Sequence, residues 1–423
     1  MISMHTSKIC IVSLFFLLLT LHGCIRISVP PPEPVPETAP EAGLETGVMI
    51  KVDPEQYPRF YDDMGYDGMA RGIAKSLSYL QKLPEDRLFY FGRDSFSRDH
   101  VIESLRRFLS FVETAPSSQA LNAFLTENYR LYRARGSAET GNMLFTGYYE
   151  PLISGSLTRS ETYPYPIYSR PEDLVSVDLS LFSDTYEGRR IIGRLSSQTL
   201  VPYHDREEID FKEALSGKAV PIAWVGDMVD LFFLHIQGSG KISLEDGNTL
   251  NVHYDASNGR PYRSIGQVLI ESGKISREEM SMQAIREYLA KHPEEAGDIF
   301  GSNPSYIFFK IEEEGPLGCL GESLTTGRSI AVDRSIFPMA SLSFIQTTIP
   351  VIDGNGHIQE WKDCARFVLN QDTGGAITGA GRADLFFGGG PYAEVAAGHL
   401  KHEGSLFFLV LKPSHMSSPN ASR

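Results

Sequence analysis

Residues Gln371 to Gly390 read QDTGGAITGAGRADLFFGGG and follow a short apolar run from Phe367 to Leu369. Seven glycines surround two aspartates, Asp372 and Asp384. Glycine loses more backbone freedom on folding than any other residue. So dense a cluster marks a chain that turns tightly or lets another molecule come close. Two carboxylates held in such a cluster are candidates for acid–base chemistry. The same residues also read as two glycine-rich turns in which the aspartates cap their own amides.

Working outward, the 423 residues exceed one core of ordinary size and predict two domains. Charged residues make up 22% and hydrophobic residues 42%, an ordinary globular balance. The formal charge of −14 offers no basic surface and argues against a nucleic-acid partner. The glycines at 379 and 381 lead into no helix of the dinucleotide-binding kind, and no cofactor is expected.

The N-terminus carries an address. Lys8 precedes an apolar run from Ile9 to Leu21, followed by His22-Gly23-Cys24. This is the pattern of an export signal, and the run is short for a membrane span of about 20 residues. LHGC resembles a lipoprotein processing box, with residues 1–23 removed and Cys24 becoming the lipidated first residue. Ile25, in place of aspartate, resembles lipoproteins sorted to an outer membrane and facing the periplasm. From Ser28 to Thr46 the chain is rich in Pro and Glu, and residues 24–51 are expected to form a flexible tether. In the mature body only Cys319 and Cys364 remain besides Cys24. An oxidising compartment permits a disulfide between them, and nothing in their spacing indicates a metal site.

Apolar periodicity predicts helices over Asp67 to Lys82, Ser97 to Val112 with Ser97 as N-cap, and Pro116 to Tyr132. From Met143 onward short β-prone runs dominate, among them Arg190 to Leu195, Leu231 to Ile236, Ile242 to Leu244 and Thr249 to Tyr254. A helix interrupts them over Ser276 to His292. Asp353 to Gly356 reads as a hairpin turn. Trp361 to Leu369 fits a short helix or a strand. Residues 414–423 form a polar tail.

Several segments together resemble one family, the membrane-bound lytic transglycosylase A family of exported lipoproteins that cut peptidoglycan glycan strands. They are Phe145 to Pro151 (FTGYYEP), Thr158 to Tyr168 (TRSETYPYPIY), Leu234 to Gly240 (LHIQGSG) and Gly259 to Gly266 (GRPYRSIG). Asn303 to Lys310 (NPSYIFFK), Leu324 to Val332 (LTTGRSIAV) and the glycine-rich stretch complete the set. The resemblance implies a mainly β fold with added helices. A double-psi β-barrel domain would comprise residues 52–152 and 308–413, and a smaller β-barrel-like, substrate-binding domain, 153–307, would be inserted into it across a cleft. It also resembles a wider class named for three aspartates, which here are Asp333, Asp372 and Asp384.

The reaction implied is non-hydrolytic cleavage of the bond between N-acetylmuramic acid and N-acetylglucosamine, giving a 1,6-anhydro end. The family's single catalytic aspartate matches Asp384 in Arg382 to Phe386. An apolar setting near Phe386 and Phe387 is expected to raise its pKa. Asp372 and Asp333 are supporting candidates. Thr146, Tyr148 and Tyr149 suit a cleft for sugars, with hydroxyls for polar edges and rings for the apolar face. Gln237, Ser239, Arg260, Tyr262 and Arg263 are candidate glycan contacts from the inserted part. Partners expected are peptidoglycan glycan strands, outer-membrane lipid through Cys24, and proteins of cell-wall synthesis. Two other readings stay open: a hydrolytic glycosidase that leaves a reducing sugar, and a non-catalytic wall-binding lipoprotein.

Overall fold

The structure is a computed structural model and describes residues 47–186 and 189–413. The expected signal peptide, Cys24 with its lipid, the tether up to residue 46 and the tail lie outside the described residues, whereas residues 49–51 of the expected tether belong to strand Met49–Val52, which pairs with Tyr129–Ala134. Among the described residues no helix is long and apolar enough to cross a membrane.

The core is a closed ring of six strands. Lys401–Leu411 pairs with Leu342–Ile352, which forms a hairpin with Ile358–Asp372. Ile358–Asp372 runs parallel to Ser329–Ala331, which pairs antiparallel with Arg382–Gly389. Arg382–Gly389 runs parallel to Met143–Glu150, and Met143–Glu150 returns to Lys401–Leu411. Tyr129–Ala134 and Met49–Val52 extend the sheet from the outer edge of Lys401–Leu411. The Asp353 to Gly356 segment is the expected hairpin turn, with the carboxylate of Asp353 accepting the N–H groups of Asn355 and His357 at 2.9 Å each. Trp361 to Leu369 is strand.

A second, six-stranded sheet grows from the barrel. Only Pro151 separates Met143–Glu150 from Leu152–Ser156, which lies at the centre of that sheet. The other five strands are Tyr165–Tyr168, Pro221–Val225, Ser239–Leu244, Thr249–Ser257 and Ile307–Glu312. Its core of Ile153, Ile167, Val225, Leu234, Ile242, Val252 and Phe309 is separate from that of the barrel. The architecture is mainly β with added helices and a closed six-stranded barrel.

Three expectations differ from the fold. Leu231 to Ile236, read as a strand, belongs to helix Met228–Gln237, which Asp227 caps at one end and Gly238 ends in the left-handed conformation at φ 73°. Five of its residues are buried, so its sequence lacks the polar face that would reveal a helical period. Pro116 to Tyr132 divides into helix Ser118–Asn128 and strand Tyr129–Ala134, because the carboxy-terminal residues are drawn into the sheet beside Lys401–Leu411. The helix expected over Ser276 to His292 is Met282–Lys291, capped by Ser281. No disulfide joins Cys319 to Cys364. Burial pushes the Cys364 thiol up to about 12.

The segment before helix Met69–Lys82 is fastened to the barrel by a buried ion pair. Arg328 donates to both oxygens of Asp62, at 2.7 and 2.8 Å, and also to the carbonyls of Asp67 and Phe367. Asp62 accepts the Phe367 N–H at 3.0 Å. Burial alone would raise the Asp62 pKa, but Arg328 together with the N–H groups of Phe367 and Tyr66 outweighs it and the net shift is downward. Replacing Arg328 by Met strands a buried carboxylate. It is expected to cost about 3–5 kcal/mol in guanidinium unfolding, part of which the double variant Asp62→Leu/Arg328→Met restores.

Candidate active site

The register of the barrel sets four residues in one row. Asp372 pairs with Ala331, Ala331 with Asp384, and Asp384 with Thr146. Strands lie about 5 Å apart, so the backbones of the two aspartates are about 10 Å apart, separated by one alanine. Residues 382 and 384 share a face, because side chains alternate along a strand. Arg382 accordingly forks onto its neighbour, with Nε 3.0 Å from Oδ1 and Nη2 3.2 Å from Oδ2 of Asp384. The Thr146 hydroxyl, directly across the ladder, donates to Oδ1 of Asp384. Arg382 also reaches the carbonyl of Ala376 at 3.2 Å, tying the glycine-rich loop to the same carboxylate. The apolar setting expected at Asp384 is thus replaced by a guanidinium and a hydroxyl. Phe386 instead packs its ring on Tyr148, with centroids 5.1 Å apart.

Asp372 is held differently. Its Oδ1 accepts the N–H groups of Cys319, at 3.0 Å, and Thr373, at 2.9 Å. Burial pushes its carboxyl up to about 6, with the charge of Asp384 adding to the shift and the two N–H groups opposing it. The hydroxyl of Tyr148 is buried against Asp372. Burial, followed by the charge of Asp372, raises the tyrosine's pKa well above its ordinary value.

Both carboxylates open into one cleft of about 320 Å³. Its barrel side consists of Tyr148, Ala331, Arg382 and the loop from Asp372 to Ile377. Its other side comes from the inserted strands and helices, with Arg206, His235, Gln237, Tyr262, Ser264, Asn303 and Ile307. Gln237 closes the end of its helix over the barrel, its Oε1 accepting the Tyr149 N–H at 3.0 Å.

Of the residues singled out from sequence, Asp384, Asp372, Tyr148, Gln237 and Tyr262 line this cleft, and Thr146 touches Asp384 from behind. Asp333 lies outside it. Its Oδ2 accepts the Gly379 N–H at 2.7 Å, so it braces the glycine-rich loop. Tyr149 is buried with its hydroxyl toward Met282. Ser239 pairs in its sheet with His253. Arg260 donates to the carbonyl of Tyr203 at 2.9 Å, and Arg263 reaches toward Glu271. Sequence reading passed over Arg206, Ser264 and Asn303 as site residues. Asn303 stood in the quoted NPSYIFFK segment, where its pairing with Pro was the one local signal of a turn.

Residues 144–310 match the family model described as the MltA specific insert domain, and residues 328–410 match the 3D domain. The chain is 35% identical over 285 residues to the membrane-bound lytic murein transglycosylase A of Escherichia coli (strain K12), covering 67% of this chain and 69% of that protein. The Vibrio cholerae protein of the same description is 32% identical over 289 residues, covering 67% and 70%. Among solved structures, a membrane-bound lytic murein transglycosylase from Agrobacterium tumefaciens superposes with a TM-score of 0.69 at 29% identity, over 86% of this chain and 97% of that one. The Escherichia coli MltA with bound chitohexaose gives 0.66 at 26% identity, over 88% and 97%. These likenesses define an enzyme of the lytic transglycosylase type. The chain belongs to the membrane-bound lytic murein transglycosylase A family.

The raised pKa of Asp372 has a signature in stability. Between the unfolded value near 4 and the folded value of about 6, the native state holds more protons than the unfolded state. Its contribution is therefore present in full below pH 4, is lost as pH rises through 6, and is constant above. Asp372→Asn should remove a slope worth on the order of 3 kcal/mol across that window. Denaturant midpoints of both proteins from pH 4 to 7 measure the difference.

Proposed function

We propose that this enzyme cuts peptidoglycan glycan strands between N-acetylmuramic acid and N-acetylglucosamine and leaves a 1,6-anhydro end, with Asp384 as acid and then as base. The observation that carries this reading is the position of Asp384, on a barrel strand at the floor of the cleft and held by Arg382 and Thr146.

The chemistry needs one carboxyl group. The protonated Asp384 gives its proton to the glycosidic oxygen as the bond to the anomeric carbon breaks. The 6-hydroxyl of the same muramyl residue attacks that carbon, and the Asp384 carboxylate takes the hydroxyl proton, returning to its starting form. The nucleophile is already part of the sugar, so no water is activated and no second base is required. Arg382 and Thr146 fix the carboxyl's orientation. Asp372, with its carboxyl pushed up to about 6, is largely neutral at lower pH and adds little repulsion to a second charge. Its buried contacts with Cys319, Thr373 and Tyr148 support a positioning role, and Asp333 supports the loop. The ring of Tyr148 and the amide of Gln237 suit a sugar face and its polar edge.

In the same reading, residues 52–152 and 308–413 are one domain, of double-psi barrel type, and 153–307 are a second, barrel-like domain inserted for substrate. The two family-model spans support that division. Cys24 carries the lipid that holds the body at the outer membrane, facing the periplasm, and proteins of cell-wall synthesis are its candidate partners.

The body lacking residues 1–46, incubated with purified peptidoglycan, should release muropeptides one water lighter than hydrolysis products by mass. Asp384→Asn should lower that release by about 10³-fold or more while keeping the wild-type circular dichroism. Reducing ends in place of anhydro ends would assign the protein to the hydrolases.

A further inference from the structure

Away from the cleft, the inserted part carries a small sheet with one face uncovered. Strand Arg190–Ser196 lies between Val175–Asp178 and Thr199–Pro202. Its Ile192 packs on the core of Leu174, Tyr203, Ile209 and Phe308, so that face is turned inward. Side chains alternate along a strand, and paired residues share a face. The register therefore sets Val175, Val177, Ile191, Leu195 and Leu200 together on the other face. In these three strands that face holds only apolar residues and one glycine, where a solvated sheet would present polar ones. Leu195 is 63% exposed and Ile191 46%. The turn at the end of the sheet continues the feature, with Leu181 83% and Phe182 74% exposed. That turn is ordered: Oδ1 of Asp178 accepts the N–H of Ser180 at 3.0 Å and its hydroxyl at 2.6 Å.

Size and charge decide what covers this patch. Three short strands make a face of roughly 250 Å², whereas a stable protein complex buries about 800 Å² on each partner. A second copy would also bring together two chains of formal charge −14. A lipid surface needs no matched area. A few projecting apolar side chains enter the acyl boundary while basic residues meet the headgroups. Segment 175–202 has that make-up, with three acidic residues balanced by Arg189, Arg190 and Arg194, so it is neutral in a strongly acidic chain. Arg189 and Arg190 are exposed, and the Arg189 carbonyl takes the Leu179 N–H at 2.9 Å, which puts them beside the apolar turn. The exposed Tyr186 suits the headgroup level. The 22 residues between Cys24 and Gly47 span at most about 80 Å, and a compact chain of the described length measures about 55 Å across. The anchor therefore lets any face of the body reach the bilayer and selects none. We propose that Leu181, Phe182 and the face led by Ile191 and Leu195 form a second membrane contact, which dips into the lipid surface and fixes how the tethered body stands on it. The proposal rests on the lipoprotein reading of Cys24, and it gives the inserted part a contact that the anchor does not supply.

The body lacking residues 1–46 has no anchor, and every core residue described lies between Val48 and Leu411, so it retains the fold. It is sedimented with vesicles of phosphatidylethanolamine and a minor share of phosphatidylglycerol, at low and at high salt. The expected result is partition onto the vesicles that persists at high salt. Leu181→Ser/Phe182→Ser should lower it about tenfold or more, with unchanged circular dichroism because both side chains are exposed. Phe182→Trp should partition like the wild type and be quenched by brominated acyl chains beyond the quenching of Trp224 and Trp361. A body that does not partition overturns the contact, as does a double serine variant that partitions like the wild type. Partition lost at high salt also overturns it, since that would leave only the attraction of the arginines. A body that is dimeric by sedimentation velocity, with a monomeric double variant and no vesicle binding, would give the patch to a second copy. Acyl labelling of the full chain, with Cys24→Ser beside it, separates the two readings. Label on Cys24 without partition of the body retains the anchor and overturns the patch. Partition of the body without label removes the anchor and leaves the patch standing.

Discussion

Thr146 is where the barrel closes. It pairs with Asp384 on one side and with Lys401 on the other, so the ladder that completes the ring also sets the hydroxyl against the carboxylate. Residues 238 positions apart in sequence thereby meet at hydrogen-bond distance. A closed ring has no free edge along which a strand can slip, and a slip of one residue would turn Asp384 from the cleft into the core. The precision of the site is thus a property of backbone pairing, and the side chains around Asp384 refine an address the ladder has already set.

The two halves of the cleft differ in electrostatic character. The barrel supplies the charges: Asp384 paired with Arg382, and Asp372 driven toward neutrality by burial. The other side supplies mostly neutral polar groups and the paired Arg206, and the elements that carry them bury Phe232, Phe233, Ile265 and Phe300 in the same core as the barrel. Pro151 alone joins the barrel strand to the second sheet on the entering side, and Gln237 holds the Tyr149 N–H just before it. The two walls of the cleft therefore rest on one shared core, with a short, hydrogen-bonded junction beside it.

Much of this was legible in the chain, for reasons that can be named. The helices over Asp67 to Lys82 and Ser97 to Val112 showed because each has one apolar face and one wet face, and Ser97 accepts the His100 N–H as a cap should. The hairpin at Asp353 to Gly356 showed because turn chemistry is local. Helix Met228–Gln237 was hidden because burial on most sides removes the period. The glycine-rich stretch announced both aspartates, but the fork of Arg382 on Asp384 required knowing that 382 and 384 share a strand face. Arg260 and Arg263 looked like ligand contacts by residue type, yet one is engaged with the Tyr203 carbonyl and the other lies out toward Glu271. Asn303 was passed over because what fixes it in the cleft wall, the N–H of Arg263 on its oxygen, is a long-range contact that no local pattern carries.

The loop between the two aspartates has a separate freedom. Asp372 and Asp384 are each placed by pairing with the short strand Ser329–Ala331 that runs between them, and the connecting residues add the Thr373 N–H on Asp372 and the Ala376 carbonyl on Arg382. Several of those residues, from Thr373 to Ile377, form one rim of the cleft. Lengthening or shortening the connection beyond those two contacts would reshape the entrance while leaving Asp384 where it is. Over evolutionary time such a protein can change which polymers it admits without having to reinvent how it breaks them.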